Sequence, residues 1–271
     1  TKAYLIPEGK PLVFLIEQGV MHTSGAVIKK KYHKFRQINK FLEFIADAEP
    51  FIRQTTEQLG KPFSIIDFGC GKAYLSFALY HYLHEQQRLP VQIHGLDLKT
   101  DVVARCSALA EKCRYTGLSF TQGDIAGYPI PAGTGMMVCL HACDTATDLA
   151  IAKAVKNNTK IIFAVPCCQH ELNTQIRKNR NKVIKPLSPM LDYGIITEKF
   201  ASLLTDTIRG KLLESEGYKV SVEEFIETEH TPKNILIKAV KLDDKVKSKT
   251  VLIEKAKEEL KKWDDVIKEL D

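Results

Sequence analysis

Three carboxylates and a pair of glycines are the residues of this chain best placed for ligand chemistry. Asp67-Phe68-Gly69-Cys70-Gly71 follows the apolar run Ser64-Ile65-Ile66, and an apolar helical pattern begins at Ala73. Glycines at 69 and 71 let the backbone turn sharply and approach a ligand. The following helix points unpaired N–H groups at whatever occupies the turn. Asp97 closes the strand-like run Val91–Leu98, where a carboxylate can take both hydroxyls of a ribose. Asp124 follows the run Leu118–Gln122 within Gly123-Asp124-Ile125. There a side chain can reach an adenine amino group while Ile125 packs on the ring. Three acids at strand ends along one sheet edge describe a nucleoside-type site.

A second constellation is made of cysteines and histidines. His141, Cys143 and Asp144 follow the fourth strand-like run, and Cys167, Cys168 and His170 follow the fifth. Three chemistries compete for it. The side chains can line an acceptor pocket, with His141, Asp144 or His170 as base or orienting group and Cys168 beside them. Thiolate and imidazole can gather a soft metal such as zinc, although the spacing matches no finger. A cysteine after Pro166 can act as nucleophile, although such a Pro-Cys usually follows the fourth strand. Small apolar packing under the pocket is the plain alternative for Cys167 and Cys168. The pocket-lining reading is preferred and no metal site is assigned. Asp144 and Asp148 also suit the N-terminal cap and first turn of a helix.

The elements that must position these residues alternate regularly. Strands are expected at 63–68, 91–98, 118–122, 136–140 and 160–165, and helices at about 73–87, 101–114 and 144–156. This pattern predicts a parallel sheet with helices on both faces. Residues 171–196 read as less regular. A helix at 197–215 precedes strands at 218–227 and 233–240, joined by a short turn at Glu229–Pro232. They read as an antiparallel hairpin on one edge. Upstream, 40–58 has helical spacing, with Phe41, Phe44 and Ile45 on one face. The tail at 250–270 reads as an amphipathic helix with the stripe Ile253, Ala256, Leu260, Trp263, Ile267 and Leu270, which suits packing on the domain, a dimer seam or contact with a missing segment. The oligomeric state is left open.

A nicotinamide dehydrogenase is the main rival. Its fingerprint wants a small residue where Tyr74 stands, and Asp97 lies too far on. The quoted Asp67–Gly71 turn, Asp97 and Gly123-Asp124 instead resemble class I S-adenosylmethionine-dependent methyltransferases. More narrowly, Phe68-Gly69-Cys70-Gly71-Lys72-Ala73-Tyr74-Leu75-Ser76, His141-Ala142-Cys143-Asp144-Thr145-Ala146-Thr147-Asp148 and Pro166-Cys167-Cys168-Gln169-His170 resemble one subgroup. It holds bacterial methyltransferases of unassigned substrate. It also holds eukaryotic proteins named for a ribosomal RNA adenine dimethylase domain or a glutathione S-transferase C-terminal domain.

The resemblance implies a Rossmann-like α/β fold with a seven-stranded, mostly parallel sheet and S-adenosylmethionine as cofactor. By it, Asp67, Gly69, Cys70 and Gly71 line the methionine and ribose side, Asp97 holds the ribose, and Asp124 and Ile125 hold adenine. Leu140 and His141 border the sulfonium. The implied organisation is a basic N-terminal extension at 1–60, a methyltransferase domain at 61–241 and a C-terminal helix at 242–271. After the fourth strand the chain lacks the Asn/Asp-Pro-Pro-aromatic turn of amino-directed nucleic-acid methyltransferases, so the name adenine dimethylase finds no support here.

Composition is that of an ordinary soluble protein, 44% apolar and 27% charged, with no run long enough to span a bilayer. Seven cysteines in an α/β chain read as reduced and cytoplasmic. The start at Thr1 reads as a piece of something longer. Net charge is +6. The stretches 29–40 and 177–185 together hold eleven Lys and Arg residues and no acid. They suit structured RNA, with Tyr32 and Phe35 as base-stacking groups. A small-molecule or protein acceptor, or a non-catalytic cofactor-binding adaptor, are the alternatives.

Overall fold

Apolar residues alternate strictly along the central strands, and this two-residue period divides the core into two layers. In β4 (Met136–Cys139), Met136 and Val138 join one cluster while Met137 and Cys139 join the other. In β5 (Ile161–Ala164), Ile161 and Phe163 face the first and Ile162 and Ala164 the second. Strands buried on both faces lie inside a parallel sheet covered by helices on each side. The computed structural model describes residues 3–140, 142, 145–166, 170–178, 185–225, 235–246 and 248–268, with side chains described except at 185–188 and 263–268.

The other strands are β1 (Phe63–Phe68), β2 (Val91–Asp97), β3 (Leu118–Gln122), β6 (Tyr218–Glu224) and β7 (Ile235–Lys241). They form one seven-stranded sheet in the order β3-β2-β1-β4-β5-β7-β6. β1 to β5 pair in parallel, and β7 is antiparallel to both β5 and β6. The expected hairpin is present, with its second strand inserted next to β5. The chain winds outward from β1 through β2 to β3, then returns to the other side of β1 at β4. The gap between β1 and β4 is therefore the topological switch point, where an open α/β sheet presents its ligand crevice. This is the class I methyltransferase arrangement.

On one face lie α1 (Val13–Glu17), α2 (Tyr32–Leu59), α3 (Tyr74–Tyr80) and α4 (Thr100–Cys113). On the other lie α5 (Thr145–Lys156) and α7 (Gly194–Ser215). α2 begins eight residues before the expected start at 40, so much of the basic stretch is helix. Ile38, Phe41 and Ile45 are fully buried, and the first cluster runs unbroken from Ile6 and Phe14 into the sheet. Residues 3–60 thus share a core with the sheet. α3 is buried on nearly every side and continues into a π-helical turn at His81–Gln86.

Part of 171–196 is more regular than its sequence suggests, forming α6 (His170–Lys178) and a 3₁₀ segment at Lys185–Asp192. Ile176, Leu191 and Ala201 pack these onto α7. α8 (Ser248–Lys268) lies against α7, with Ala256 buried and Lys211 Nζ paired to Glu259 at 2.8 Å. The tail stripe therefore packs on its own chain at Ala256. The side chains of Trp263 and Ile267, and Leu270, lie outside the described residues, as does the Glu229–Pro232 turn. Among the described residues no helix is long and apolar enough to cross a membrane.

One ion-pair group ties α7 to α5. Arg209, 4% exposed, donates from Nε and Nη2 to the two oxygens of Asp148 at 2.6 and 2.8 Å, and from Nη1 to Asp206 at 2.9 Å. Asp148 does sit in the first turn of α5, as expected, and meets this guanidinium there. Arg209→Met keeps an unbranched apolar stem but removes the guanidinium, stripping the cation from two carboxylates, of which Asp206 is buried. Unfolding in urea is expected to show a loss of about 3 kcal/mol.

Candidate active site

The turn after β1 is built by left-handed backbone. Gly69, Gly71 and Ala73 have φ of 69°, 54° and 54°. The Gly69 and Cys70 N–H groups both donate to the Leu96 carbonyl, at 2.8 and 3.0 Å. The Gly71 N–H donates to Asp97 Oδ2 at 2.9 Å, and the Lys99 N–H donates to Oδ1 at 3.0 Å. The loop is thereby fastened to the end of β2. A Cβ on Gly71 would meet nothing within 4 Å, so this backbone faces open space. Gly95 has the opposite reason to be glycine. A Cβ there would sit 2.5 Å from the Phe120 ring and 3.2 Å from Cys70 Sγ, forcing the turn outward.

The register sets the three acids as a staircase rather than a row. Asp67 lies beside Gly95, two residues before Asp97. Asp97 lies beside Gln122, two residues before Asp124. Each acid therefore projects one step further along the slanting edge of the sheet. Asp67 is buried, and Asp124 is exposed, its Oδ1 accepting the Ala126 N–H at 3.2 Å. Ile125 is buried in the second cluster together with Leu96. Leu98, beside Asp97, is 66% exposed.

Asp67, Cys70, Gly71 and Leu140 line one cavity of about 240 Å³. Four sequence-derived candidates thus meet in one place. Lys34, Lys72, Tyr74 and Leu75 complete its wall. Lys34 belongs by composition to the basic run at 29–40, yet it falls on the buried stripe of α2. The successive steps from Lys34 through Ile38 and Phe41 to Ile45 are four, three and four, and that spacing is the signal that separates it from its basic neighbours. Its Nζ donates to Gln37 Oε1 and lies 5.2 Å from the Tyr74 ring centre. Burial, then the charges of Lys31 and Lys72, hold its ammonium below the ordinary lysine range.

One of the two stacking expectations needs correction. Phe35 is fully buried, because the helix that carries it turns that face into the core. Tyr32 donates its hydroxyl to Glu8 Oε1 at 2.5 Å, and the Arg36 guanidinium covers its ring at 5.4 Å.

Of the second constellation, His141, Cys143, Asp144, Cys167 and Cys168 lie outside the described residues. His170 opens α6 and is exposed. Arg177 and Lys178 are exposed near the end of the same helix, and residues 179–184 lie outside the described residues. The four described cysteines are free. Burial pushes the Cys106 thiol up to about 11 and Cys139 to about 12, and raises Cys70 further, so none of these three is poised as a thiolate nucleophile.

Burial also raises the Asp67 carboxyl to about 7, against the opposing effect of a hydrogen bond from Ser76 Oγ, with the Asp97 charge adding a smaller push upward. In the unfolded chain the same group titrates near 3.9. The fold therefore binds this proton more tightly than the unfolded chain does. Stability from this group is greatest below about pH 4 and falls as pH rises through 7. Asp67→Asn is expected to flatten the fall in unfolding free energy between pH 4 and 7. Parallel urea titrations of the two proteins measure the difference.

The sequence model of a family described as "Methyltransferase domain" matches residues 33–175, more than half of the chain. A search of functionally curated proteins finds no match. Among solved structures, magnesium protoporphyrin IX methyltransferase from Synechocystis PCC 6803, with SAH bound, is similar at 15% identity. It covers 80% of this chain and 90% of that one, with a TM-score of 0.45. Precorrin-6y C5,15-methyltransferase from Geobacter metallireducens GS-15 is similar at 15% identity, over 67% of this chain and 81% of that one, with a TM-score of 0.39. The fold assignment rests on strand order and the glycine turn. With the family match spanning α2 to α6, they lead to one conclusion: the chain belongs to the methyltransferase-domain family and is a class I S-adenosylmethionine-dependent methyltransferase.

Proposed function

We propose that this enzyme methylates RNA. The observation that carries the reading is the course of the basic segment. Lys29, Lys30, Lys31, His33 and Arg36 are exposed, and Lys34 within the same segment lines the cavity of Asp67 and Gly71. Phosphates held on that segment would bring a nucleotide to the mouth of the site. Arg177 and Lys178 would extend the footprint from α6.

The residues fit S-adenosylmethionine. Gly71 faces open space at the switch point, and the Asp97 carboxylate stands at the end of β2. When bound, the cofactor supplies a methyl group on an electron-poor sulfur. In this reading Asp97 accepts the ribose hydroxyls, while Asp124 and Ile125 hold the adenine. Gly69, Cys70 and Gly71 pass along the ribose and methionine part, and Leu140 and His141 border the sulfur. His141, Asp144, Cys168 and His170 line the acceptor pocket, where an imidazole or carboxylate takes the acceptor's proton if it must leave early. The remaining rate enhancement comes from holding the acceptor atom in line with the methyl group. Residues 61–241 are the catalytic domain, 1–60 its basic cover and 242–271 a helical appendix. The 68–76, 141–148 and 166–170 motifs support kinship with the subgroup of bacterial methyltransferases of unassigned substrate. Free cysteines at 70, 106, 113 and 139 suit a cytoplasmic home.

Asp97→Ala removes the ribose acceptor and also the anchor of the Gly71 N–H. Calorimetry with S-adenosylhomocysteine is expected to show about 1.5–3 kcal/mol weaker binding.

For the acceptor, structured RNA is titrated at several salt concentrations. The wild type is expected to lose affinity linearly in log–log form. Replacing Lys29, Lys30 and Lys31 with Ala should reduce the slope by about 0.7–0.9 for each phosphate no longer neutralised. Affinity for S-adenosylhomocysteine should be unaltered. RNA affinity that ignores salt, or is absent, overturns the acceptor assignment and leaves the methyltransferase assignment standing.

A further inference from the structure

α2 places one ammonium group, that of Lys34, on the wall of the cavity that Asp67 and Gly71 line. We propose that Lys34 binds the α-carboxylate of S-adenosylmethionine and S-adenosylhomocysteine, opposite Asp67, which takes the α-ammonium. The inference rests on the cofactor reading above and is independent of the RNA reading.

The tail of either ligand is a zwitterion, so a cavity that encloses it must supply one group of each sign. The cavity of about 240 Å³ between β1, α2 and α3 holds such a pair. Asp67 is 5% exposed, and its described side-chain partner is the Ser76 hydroxyl, a neutral donor. A buried carboxyl that meets only a neutral donor stays protonated to about 7, and an arriving ammonium supplies the missing counter-charge. Asp97 is differently placed, because two backbone N–H groups already engage its two oxygens.

Two lysines reach the cavity wall, and their surroundings separate them. Lys72 is exposed, and its ammonium is solvated. Lys34 is half-buried and fixed by Gln37 Oε1 and the Tyr74 ring. It projects from a helix held rigid by Phe35, Ile38 and Phe41, and by Asn39, whose Oδ1 accepts the Ile6 N–H at 2.8 Å. A partly desolvated cation on a rigid element makes a stronger charge-assisted bond than one that must first be ordered. Exposed Lys29, Lys30 and Lys31 remain available for phosphates, so one helix start serves two anions.

The test compares two ligands that differ by the tail. S-adenosylhomocysteine carries it, and 5′-methylthioadenosine keeps adenosine and sulfur but lacks the amino acid. Lys34→Met, which keeps an unbranched apolar stem but no ammonium, is expected to weaken S-adenosylhomocysteine about ten- to a hundredfold by calorimetry. Affinity for 5′-methylthioadenosine should stay within about twofold. Lys34→Arg should recover most of the loss. Equal weakening of both ligands, or unchanged binding of S-adenosylhomocysteine, overturns the assignment. If Lys34→Met spares S-adenosylhomocysteine but lowers the salt slope for RNA, Lys34 belongs to the phosphate footprint and the proposal fails. If the wild type binds neither adenosyl ligand, the cofactor reading itself falls, a result distinct from selective failure at Lys34.

Discussion

The Leu96 carbonyl takes two N–H groups from the turn that follows β1, and the Asp97 carboxylate beside it takes a third. Through these bonds the end of β2 fixes the backbone of the glycine turn. The geometry is demanding because three residues of the turn lie in the left-handed region, one of them Ala73. A left-handed alanine is strained and persists only when its surroundings over-determine it. Here the Ala73 N–H closes on the Cys70 carbonyl at 2.8 Å, and its own carbonyl accepts the Phe77 N–H at 3.0 Å to begin α3. The absent side chain of Gly95 leaves room for Cys70 beneath. Moving any of these parts would shift the cavity wall as a unit.

Much of this is legible from residue types. Apolar alternation, glycine positions and acids at strand ends identify the sheet, its glycine turn and a C-terminal edge hairpin, because these depend on local chemistry; that β7 lies between β5 and β6 is not legible from them. The staircase of Asp67, Asp97 and Asp124 is not legible, since register between neighbouring strands is set by pairing and packing across the sheet. Lys34 is hidden for a related reason. Composition groups it with five other basic residues, whereas helical phase separates it from them, and phase counts only once the helix is known to start at Tyr32. Phe35 shows the same effect. An aromatic among lysines resembles a stacking platform until its neighbours one turn away prove to be core.

Residues 3–60 share the core of the sheet, and Lys34 among them lines the cavity of Asp67 and Gly71. α2 spans one face of the sheet and delivers its N-terminal turns to the switch point. Polar contacts bind this region further: Gln18 Nε2 donates to the Lys72 carbonyl at 2.7 Å, and Gln86 Nε2 to the Leu5 carbonyl at 3.2 Å. The mouth of the cavity is thus a boundary between a strongly positive helix start and an acid-bearing sheet edge. Lys34 and Asp67, groups able to carry opposite charges, line the same cavity there.

The insertion of β7 between β5 and β6 has a consequence for biosynthesis. β5 is complete at Ala164, but its free edge is covered only by Ile235–Lys241. During translation all five parallel strands leave the ribosome before the strand that seals their outer side. Until then an apolar strand, Ile161-Ile162-Phe163-Ala164, offers unpaired backbone groups to any neighbouring chain. Emergence of β7 ends that exposure, so the last strand of the sheet sets how long the nascent chain is open to misassociation.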